Sequence, residues 1–394
     1  MCPPRRDFPE MPNTHALHIY RKVFLFYFKF PCSYNPSTRR FYATSGKDLF
    51  FSFCVPEFAA LGGIILNTTE AVYTVYSERI RILSVLLLLI GLIQCVYNVT
   101  AAVAFWLVKY EQAAFLNDLV RQVEKLEEGF GKRVQKWDTL TIMLFQFIVI
   151  SATLPFLFSM FVAFLTVHDK YYHLQYAVVD SVCPMNTHLS CKLITFMVLT
   201  ITYSYVGFHC AAILVGSIVT SAVVLNMLLD SVRDLAKLNP RLRSIRMYQR
   251  FRIIFKTVEN MTTFLATLML SIGFGFTVMC NFTTVRMLGV IRMPFYLFFP
   301  TAALVAMAAI GILLPYGIAS WERSGKLLAG WKVRLRVKGG IFLMRRYCEK
   351  TVKGLRPIGL RAGGGEFNFF VFKKSTKSSY YVAVMDKTIE ALMT

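Results

Sequence analysis

Five stretches of this chain carry no Asp, Glu, Lys or Arg: Ile82 to Val108, Thr139 to His168, Leu193 to Leu229, Asn260 to Val285 and Met293 to Trp321, of 27, 30, 37, 26 and 29 residues. About 20 mostly apolar residues are enough for a helix to cross roughly 30 Å of hydrocarbon. Five such runs exclude a soluble fold. The composition agrees, with 56% of residues hydrophobic and only 17% charged.

Two weaker stretches flank the five. Leu49 to Thr69 is interrupted only by Glu57 and contains Gly62 and Gly63, which membrane helices tolerate where neighbours approach closely. Ser378 to Thr394 makes a helix of about 26 Å at 1.5 Å per residue, barely a span. Counting both predicts an all-α membrane protein with seven transmembrane helices and its two termini on opposite sides.

The charge balance fixes which side is which. The chain has 44 Lys plus Arg against 22 Asp plus Glu, a formal +22 that in a soluble protein would suggest nucleic acid. Sorted by position, 37 of the 44 fall in residues 1–48, 109–138, 230–259 and 322–377, which all lie on one side of a seven-span chain. The positive-inside rule makes that side the cytosol, the N-terminus cytosolic and the C-terminus extracellular. Plasma membrane is the expected location and lipid, not nucleic acid, the expected surface partner.

Four segments follow: a cytosolic N-terminal segment at 1–48, six transmembrane helices with their loops at 49–321, a basic loop or anchor at 322–377, and a final helix at 378–394. The first segment has no signal-peptide pattern. Within it, Ile19 to Phe30 is aromatic and basic, the pattern of an interfacial helix or of a disordered leader. The fourth run reaches about 55 Å as a helix, too long for one crossing, so it tilts, kinks near Gly207 or Gly216, or projects beyond the membrane. Beyond it, Asp230, Arg233, Asp234 and Lys237 alternate in sign up to Asn239-Pro240, as in a projecting anchor helix or a solvated loop helix. Gly339-Gly340 and Gly363 to Gly365 read as turns or hinges.

Cys183 and Cys191 share one predicted outside loop and are read as a bridge or two free thiols. The sequons at Asn67 and Asn281 lie in or near outside loops and are candidate glycosylation sites.

Seven spans with the N-terminus outside would put most of the bases on the wrong face, and neither an Asp-Arg-Tyr after the third span nor an Asn-Pro-x-x-Tyr in the last is present. The inverted arrangement carries a resemblance. The stretch Leu355-Arg356-Pro357-Ile358-Gly359-Leu360-Arg361-Ala362-Gly363, then Phe367 and Phe369-Phe370, then a short final span, resembles the C-terminal signature of the arthropod odorant and gustatory receptor superfamily. The Thr-Tyr-apolar-Gln-Phe ending of the gustatory branch is absent, and Ser378-Ser379-Tyr380-Tyr381 is a loose echo of the odorant ending. The resemblance implies a ligand-gated, nonselective cation channel of four like or unlike subunits, the final helix of each lining a central pore. It also implies a pocket for a small odorant or tastant in the outer half, between the second, third, fourth and sixth spans, and an anchor of packed cytosolic helix ends.

The final helix supports part of this on its own chemistry. Asp386, Lys387 and Glu390 each cost about 2.5 to 3.5 kcal/mol at the bilayer centre if they face lipid, more than nine apolar neighbours at a few tenths each can offset. They must face protein or water, or the segment does not span. Asp386 and Glu390 share a helix face with Val382, which in a symmetric tetramer would present two carboxylate rings to a cation pathway; the alternative is an internal Lys387–Glu390 pair on a frayed end. For the pocket, Tyr97, Tyr203 and Tyr205 are the candidate ligand contacts, as aromatics in the outer half of the bundle.

No enzymatic motif appears: His-Glu-x-x-His, Gly-Lys-Ser and Gly-x-Ser-x-Gly are all missing, so no enzymatic activity, metal or cofactor is expected. The rival to a gated channel is a seven-span receptor or transporter without a channel gate.

Overall fold

A computed structural model describes residues 14 to 393, apart from 25–29, 36–37, 39, 46–49, 51–53, 77–81, 131–138, 165–166, 168–188, 292, 294, 338–341 and 365–366. Helices dominate because a segment in hydrocarbon must satisfy its backbone polar groups within itself. In chain order the elements are α1 (Thr14–Phe24), β1 (Cys32–Asn35), β2 (Arg40–Ala43), α2 (Val55–Tyr76), α3 (Ile82–Leu107), α4 (Lys109–Phe130), α5 (Thr139–Phe164) and α6 (Leu189–Lys237). They continue with α7 (Leu242–Thr257), α8 (Glu259–Arg286), a 3₁₀ turn (Phe295–Leu297), α9 (Phe298–Val337), α10 (Phe342–Gly354), β3 (Arg361–Gly364), β4 (Phe367–Val371) and α11 (Lys374–Met393).

Each of the five uncharged runs becomes one helix. Among the described residues, parts of α3, α5, α6, α8 and α9 are long and apolar enough to cross a membrane. The flanking candidates, α2 and α11, have 22 and 20 residues and reach about 33 and 30 Å. The helix expected at Leu49–Thr69 is observed at Val55–Tyr76.

Helix α6 is the centre of the bundle. Its apolar window is 83% buried, against 17% to 44% for the other four, and it touches α1, α2, α3, α4, α5 and α9. That explains its lack of a polar face, since a helix surrounded by helices has no side to give to water. It is a single helix of 49 residues, about 74 Å long. The glycines at which a kink was expected admit close neighbours instead: a Cβ on Gly207 would lie 3.1 Å from Pro155, and one on Gly216 2.7 Å from the Tyr20 hydroxyl. Its last turns are packed rather than solvated, with Val232, Asp234 and Leu235 buried and Lys237 paired to Asp234 at 3.0 Å. Arg334 Nη1 then donates to the carbonyls of Ala236 and Leu238 at 3.0 and 3.1 Å, satisfying acceptors that the helix end leaves open.

Three segments read from the sequence take definite form. Within 322–377, expected as a basic loop or anchor, α9 runs on through Trp321 to Val337 and is followed by α10 and a hairpin. Gly363 and Gly364 are strand residues in β3, paired antiparallel with β4 across a bulge after Ala362. The interfacial helix expected at Ile19–Phe30 is α1, which packs against α5 and α6 inside the fold. Ala16, Tyr20 and Phe24 recur every fourth residue, so one face is buried, and Tyr20 Oη donates to Ala212 O at 2.9 Å. The β1–β2 hairpin is held on α4 by Asn117, whose amide accepts from Phe41 N and donates to Phe41 O, both at 2.8 Å. These two hairpins qualify the all-α expectation.

The helix ends and the second hairpin form an anchor around Trp331, Tyr248 and Phe251, all below 2% exposed. The Arg-Pro-apolar-Gly segment threads through it. Tyr248 Oη donates to Arg356 O at 3.0 Å, and Ser324 Oγ both accepts from Ile358 N and donates to Ile358 O, each at 3.0 Å. Thr267 Oγ1 does the same for Gly363, at 2.6 and 2.8 Å, and Arg361 pairs with Glu259 at 3.0 Å. Gly359 lies so close to Trp321 that a Cβ would sit 2.9 Å away. Burial pushes the pKa of Tyr248 up to about 12, so its phenol stays a neutral donor.

Candidate functional site

Between α3, α5, α6, α8 and α9 runs a cavity of about 330 Å³. Its lining on α6 runs from Gly207 to Leu225 and on α8 from Met261 to Phe276, so at 1.5 Å per residue it spans about 22 to 27 Å. It is a slot along the bundle, not a round pocket. At the end away from the anchor it is closed in by Phe158, Phe276 and Phe298, the first and last with ring centroids 4.5 Å apart. At the anchor end, Phe115 of α4 and Phe255 of α7 meet edge to face at 5.5 Å, beside Gln112. Leu360 and Phe372, which bracket the β3–β4 hairpin leading into α11, also touch it.

The walls are overwhelmingly apolar with a few polar atoms, the chemistry of a site for a small, mostly hydrocarbon molecule. Ser151 Oγ and Gln112 Oε1 are buried in this lining without a hydrogen-bond partner. Tyr97 lines the cavity and is 5% exposed. Tyr203 and Tyr205 do not. Tyr203 is one turn before Gly207 on the same face of α6, past the end of the cavity, and packs on the cluster of Leu88, Phe161 and Met287. Tyr205 is two residues from Gly207, hence on the opposite side of the helix, and packs on the main core. Sequence reasoning missed Gln94, Ser151 and Gln112. Their signal was available for the first two, as polar side chains within uncharged runs, with Gln94 three residues before Tyr97 on the same face.

A second polar group lies beside the cavity. His209 Nδ1 is 3.2 Å from Glu57 Oε1 and 3.2 Å from Asn98 Oδ1, with His209 and Asn98 at most 1% exposed. Glu57, the lone charge of the first candidate span, thereby faces α6.

Helix α11 packs mainly on α8. Val384 and Thr388 are buried, and the Tyr380 ring lies 6.1 Å from that of Phe274. The opposite face carries Val382, Asp386 and Glu390, all exposed, together with exposed Met385 and Ile389. Lys387 Nζ donates to Glu390 Oε2, so the i, i+3 pair exists, and it too is exposed. Asp386, Lys387 and Glu390 are thus all exposed in the single chain.

Asn67 lies inside α2 rather than in the outside loop expected from the sequence. Its side chain packs at Gly91 of α3, where a Cβ would be 3.2 Å away, while Thr68 and Thr69 donate to carbonyls four residues back. Asn281 lies in the last two turns of α8. Cys191, at the start of α6, is disulfide-bonded; Cys183 lies outside the described residues. Among the described residues no group of three His, Cys, Asp or Glu is placed to hold a metal ion.

The chain is thus a bundle of helices, five of them long and apolar enough to cross a membrane among the described residues, set around a central helix with a slot between them and tightly packed helix ends at one side. Among solved structures this is the fold of the olfactory receptor OR5 of the insect Machilis hrabei, with a TM-score of 0.60 at 13% identity over 96% of this chain and 97% of that one. The same receptor in complex with eugenol superposes with a TM-score of 0.53 over the same shares. No family model matches the sequence, and no curated protein matches it. The insect olfactory receptor fold is thus shared along nearly the whole chain, and it is the fold that the Arg356 to Gly363 signature anticipates.

Proposed function

We propose that the protein is a chemosensory receptor subunit: a seven-span, ligand-gated, nonselective cation channel of the plasma membrane with its N-terminus in the cytosol. The observation that carries this reading is the end-to-end fold likeness to a receptor solved with and without the small molecule eugenol, combined with an apolar slot of about 330 Å³ in the corresponding helix bundle. A small odorant or tastant occupies the slot and contacts Tyr97, with Tyr203 just beyond its far end; Tyr205 is the weakest of the three candidate contacts. Four subunits, alike or mixed with a co-receptor, place the α11 faces around one axis, where Val382, Asp386 and Glu390 line the pore. The exposure of that face in a single chain supports the assembly, because water or a neighbouring subunit is the environment in which those charges are affordable. Cys183 is the partner of Cys191 in the loop on the extracellular side, and Asn281 is the better of the two glycosylation candidates, since Asn67 is held within α2.

Expression in oocytes, alone and with a co-receptor, tests the channel reading: odorant-evoked cation current is expected. Asp386→Asn and Glu390→Gln should shift the reversal potential toward lower cation preference and lower the conductance. Unchanged selectivity and conductance in both would remove these residues from the pore, and silence with every co-receptor would favour a receptor without a channel gate.

A further inference from the structure

At the end of the slot away from the anchor, one polar side chain opens into an aromatic lining. Gln94 of α3 lines the slot there with Pro155 and Phe158 of α5, Gly207 of α6, Phe276 of α8 and Phe298 of α9. We infer that Gln94 is the polar subsite of the slot, and that the ligand is an aromatic ring carrying one hydrogen-bonding group, selected over the hydrocarbon of the same shape. The inference rests on the reading of the slot as a ligand site and adds the class of molecule that fits it.

Gln94 is half-buried, and among the described residues its side-chain amide has no hydrogen-bond partner. Ser151 Oγ and Gln112 Oε1 are also without partners but are fully buried, whereas both amide atoms of Gln94 keep accessible surface. The fold holds the amide open. Cys210 Sγ donates to Gln94 O at 3.9 Å, tying α3 to α6 at this level. One turn earlier on α6, Gly207 has no side chain to fill the space before the amide: a Cβ there would stand 3.7 Å from Gln94 Nε2 and 3.1 Å from Pro155 Cβ. A hydrocarbon that fills the slot takes water away from the amide and returns nothing, so it leaves a desolvated polar group unpaired. A ligand with a hydroxyl, or with an acceptor alone, satisfies it, because the amide offers both a donor and an acceptor. Sites built around such a group reject analogues lacking its complement more strongly than apolar walls reject a change of size. The second criterion comes from the cap. Phe158 is about 4.5 Å further along α5 than Pro155 at 1.5 Å per residue. Its ring centroid lies 4.5 Å from that of Phe298, and with Phe276 the two close the end of the slot. A ring beneath these three gains edge and face contacts that a saturated ring does not, and a two-carbon arm brings its polar group back to Gln94.

The test is equilibrium binding of tritiated phenylethyl alcohol to the purified full-length protein, with propylbenzene and cyclohexylethanol as competitors and affinities corrected for partition into detergent. Wild type is expected to hold phenylethyl alcohol about tenfold more tightly than propylbenzene, the effect of one hydrogen bond of about 1.4 kcal/mol. It should hold it about threefold more tightly than cyclohexylethanol, which keeps the hydroxyl and loses the aromatic face. Gln94→Leu, apolar and of similar size, should weaken the alcohol about tenfold while moving propylbenzene less than about twofold, and Gln94→Met should behave alike. Gln112→Leu, at the other end of the slot, should leave the ratios intact. Equal wild-type affinity for phenylethyl alcohol and either competitor, or a preference over propylbenzene that survives at Gln94→Leu, would overturn the inference. The wild-type comparison decides even if the variants fail to fold. Ala309→Leu, which fills the slot, separates this inference from the reading beneath it. Binding of all three compounds that Ala309→Leu leaves untouched would sink the slot as a ligand site, whereas binding that it abolishes, with no wild-type preference among the three, would sink the Gln94 subsite alone.

Discussion

The anchor and the slot are built from the same long helices, a few turns apart, and obey opposite packing rules. Around Gly359 the packing is close: backbone carbonyls of the Arg356–Gly363 segment are met by Tyr248, Ser324 and Thr267, and there is no room for one more carbon at Gly359. Along α6 between Gly207 and Leu225 the neighbouring helices stand apart and leave about 330 Å³. A protein interior closes to crystal-like density unless something prevents it. Where the density is high, the sequence carries a dense motif; where it is low, it carries small or flexible residues such as Ala302, Ala309 and Met269. The difference assigns rigidity to the end that holds the helices together and adaptability to the end that holds the slot.

The sharpest way to break this comparison is to empty the anchor. Trp331→Ala removes the largest fully buried side chain, 1% exposed and edge to face with Tyr248 at 6.1 Å. A loss of about 3 to 5 kcal/mol is expected, read as unfolding of the detergent-purified protein in denaturant. A loss below about 1 kcal/mol would mean that the anchor is no tighter than the slot.

Added side-chain carbon should next act with opposite sign in the two regions. At Gly359→Ala the new carbon meets Trp321 at 2.9 Å, and overpacking of this kind costs about 1 to 3 kcal/mol. At Ala309→Leu, 8% exposed and on the cavity wall, added bulk enters empty space and should stabilise by about 0.5 to 2 kcal/mol. The same substitution should cut affinity for a slot ligand at least tenfold, because it takes the ligand's volume. If both changes destabilise alike, the slot is not a preformed void.

Much of this architecture is legible in the residues alone. The uncharged runs become the long helices because backbone satisfaction in lipid leaves the chain no other choice. The sign of the projecting end of α6 is also visible, since Asp234 and Lys237 are placed at helical spacing. The burial of α1 is not, because Arg21 and Lys22 suggest a surface while Ala16, Tyr20 and Phe24 quietly share one face. The slot is the least legible part. It is defined by what five helices leave between them, so Tyr97 lines it while Tyr205, two residues off the cavity-facing positions of α6, does not. Gln112 lies beyond the uncharged run in a charged helix, where a sequence reading sees only solvent.

The smallest effect belongs to the anchor's outer shell. On α10 the Lys353 ammonium donates to Glu349 Oε1 at 2.9 Å, and this hydrogen bond, reinforced by the charge of Lys353, holds the carboxyl below the usual glutamate range. A carboxyl whose folded pKa is depressed contributes above its unfolded pKa, and the contribution disappears as pH falls through the folded value. The pair is open to water, where exposed ion pairs add little and salt screens them. Glu349→Gln should therefore leave the unfolding midpoint unchanged at pH 7 within error, and should flatten only a shallow loss of stability on the acid side, with even that vanishing in high salt. A clear drop at neutral pH would show that the dense packing around Trp331 extends to the surface of α10, and that the tight region is larger than the buried contacts around Arg356–Gly363 define.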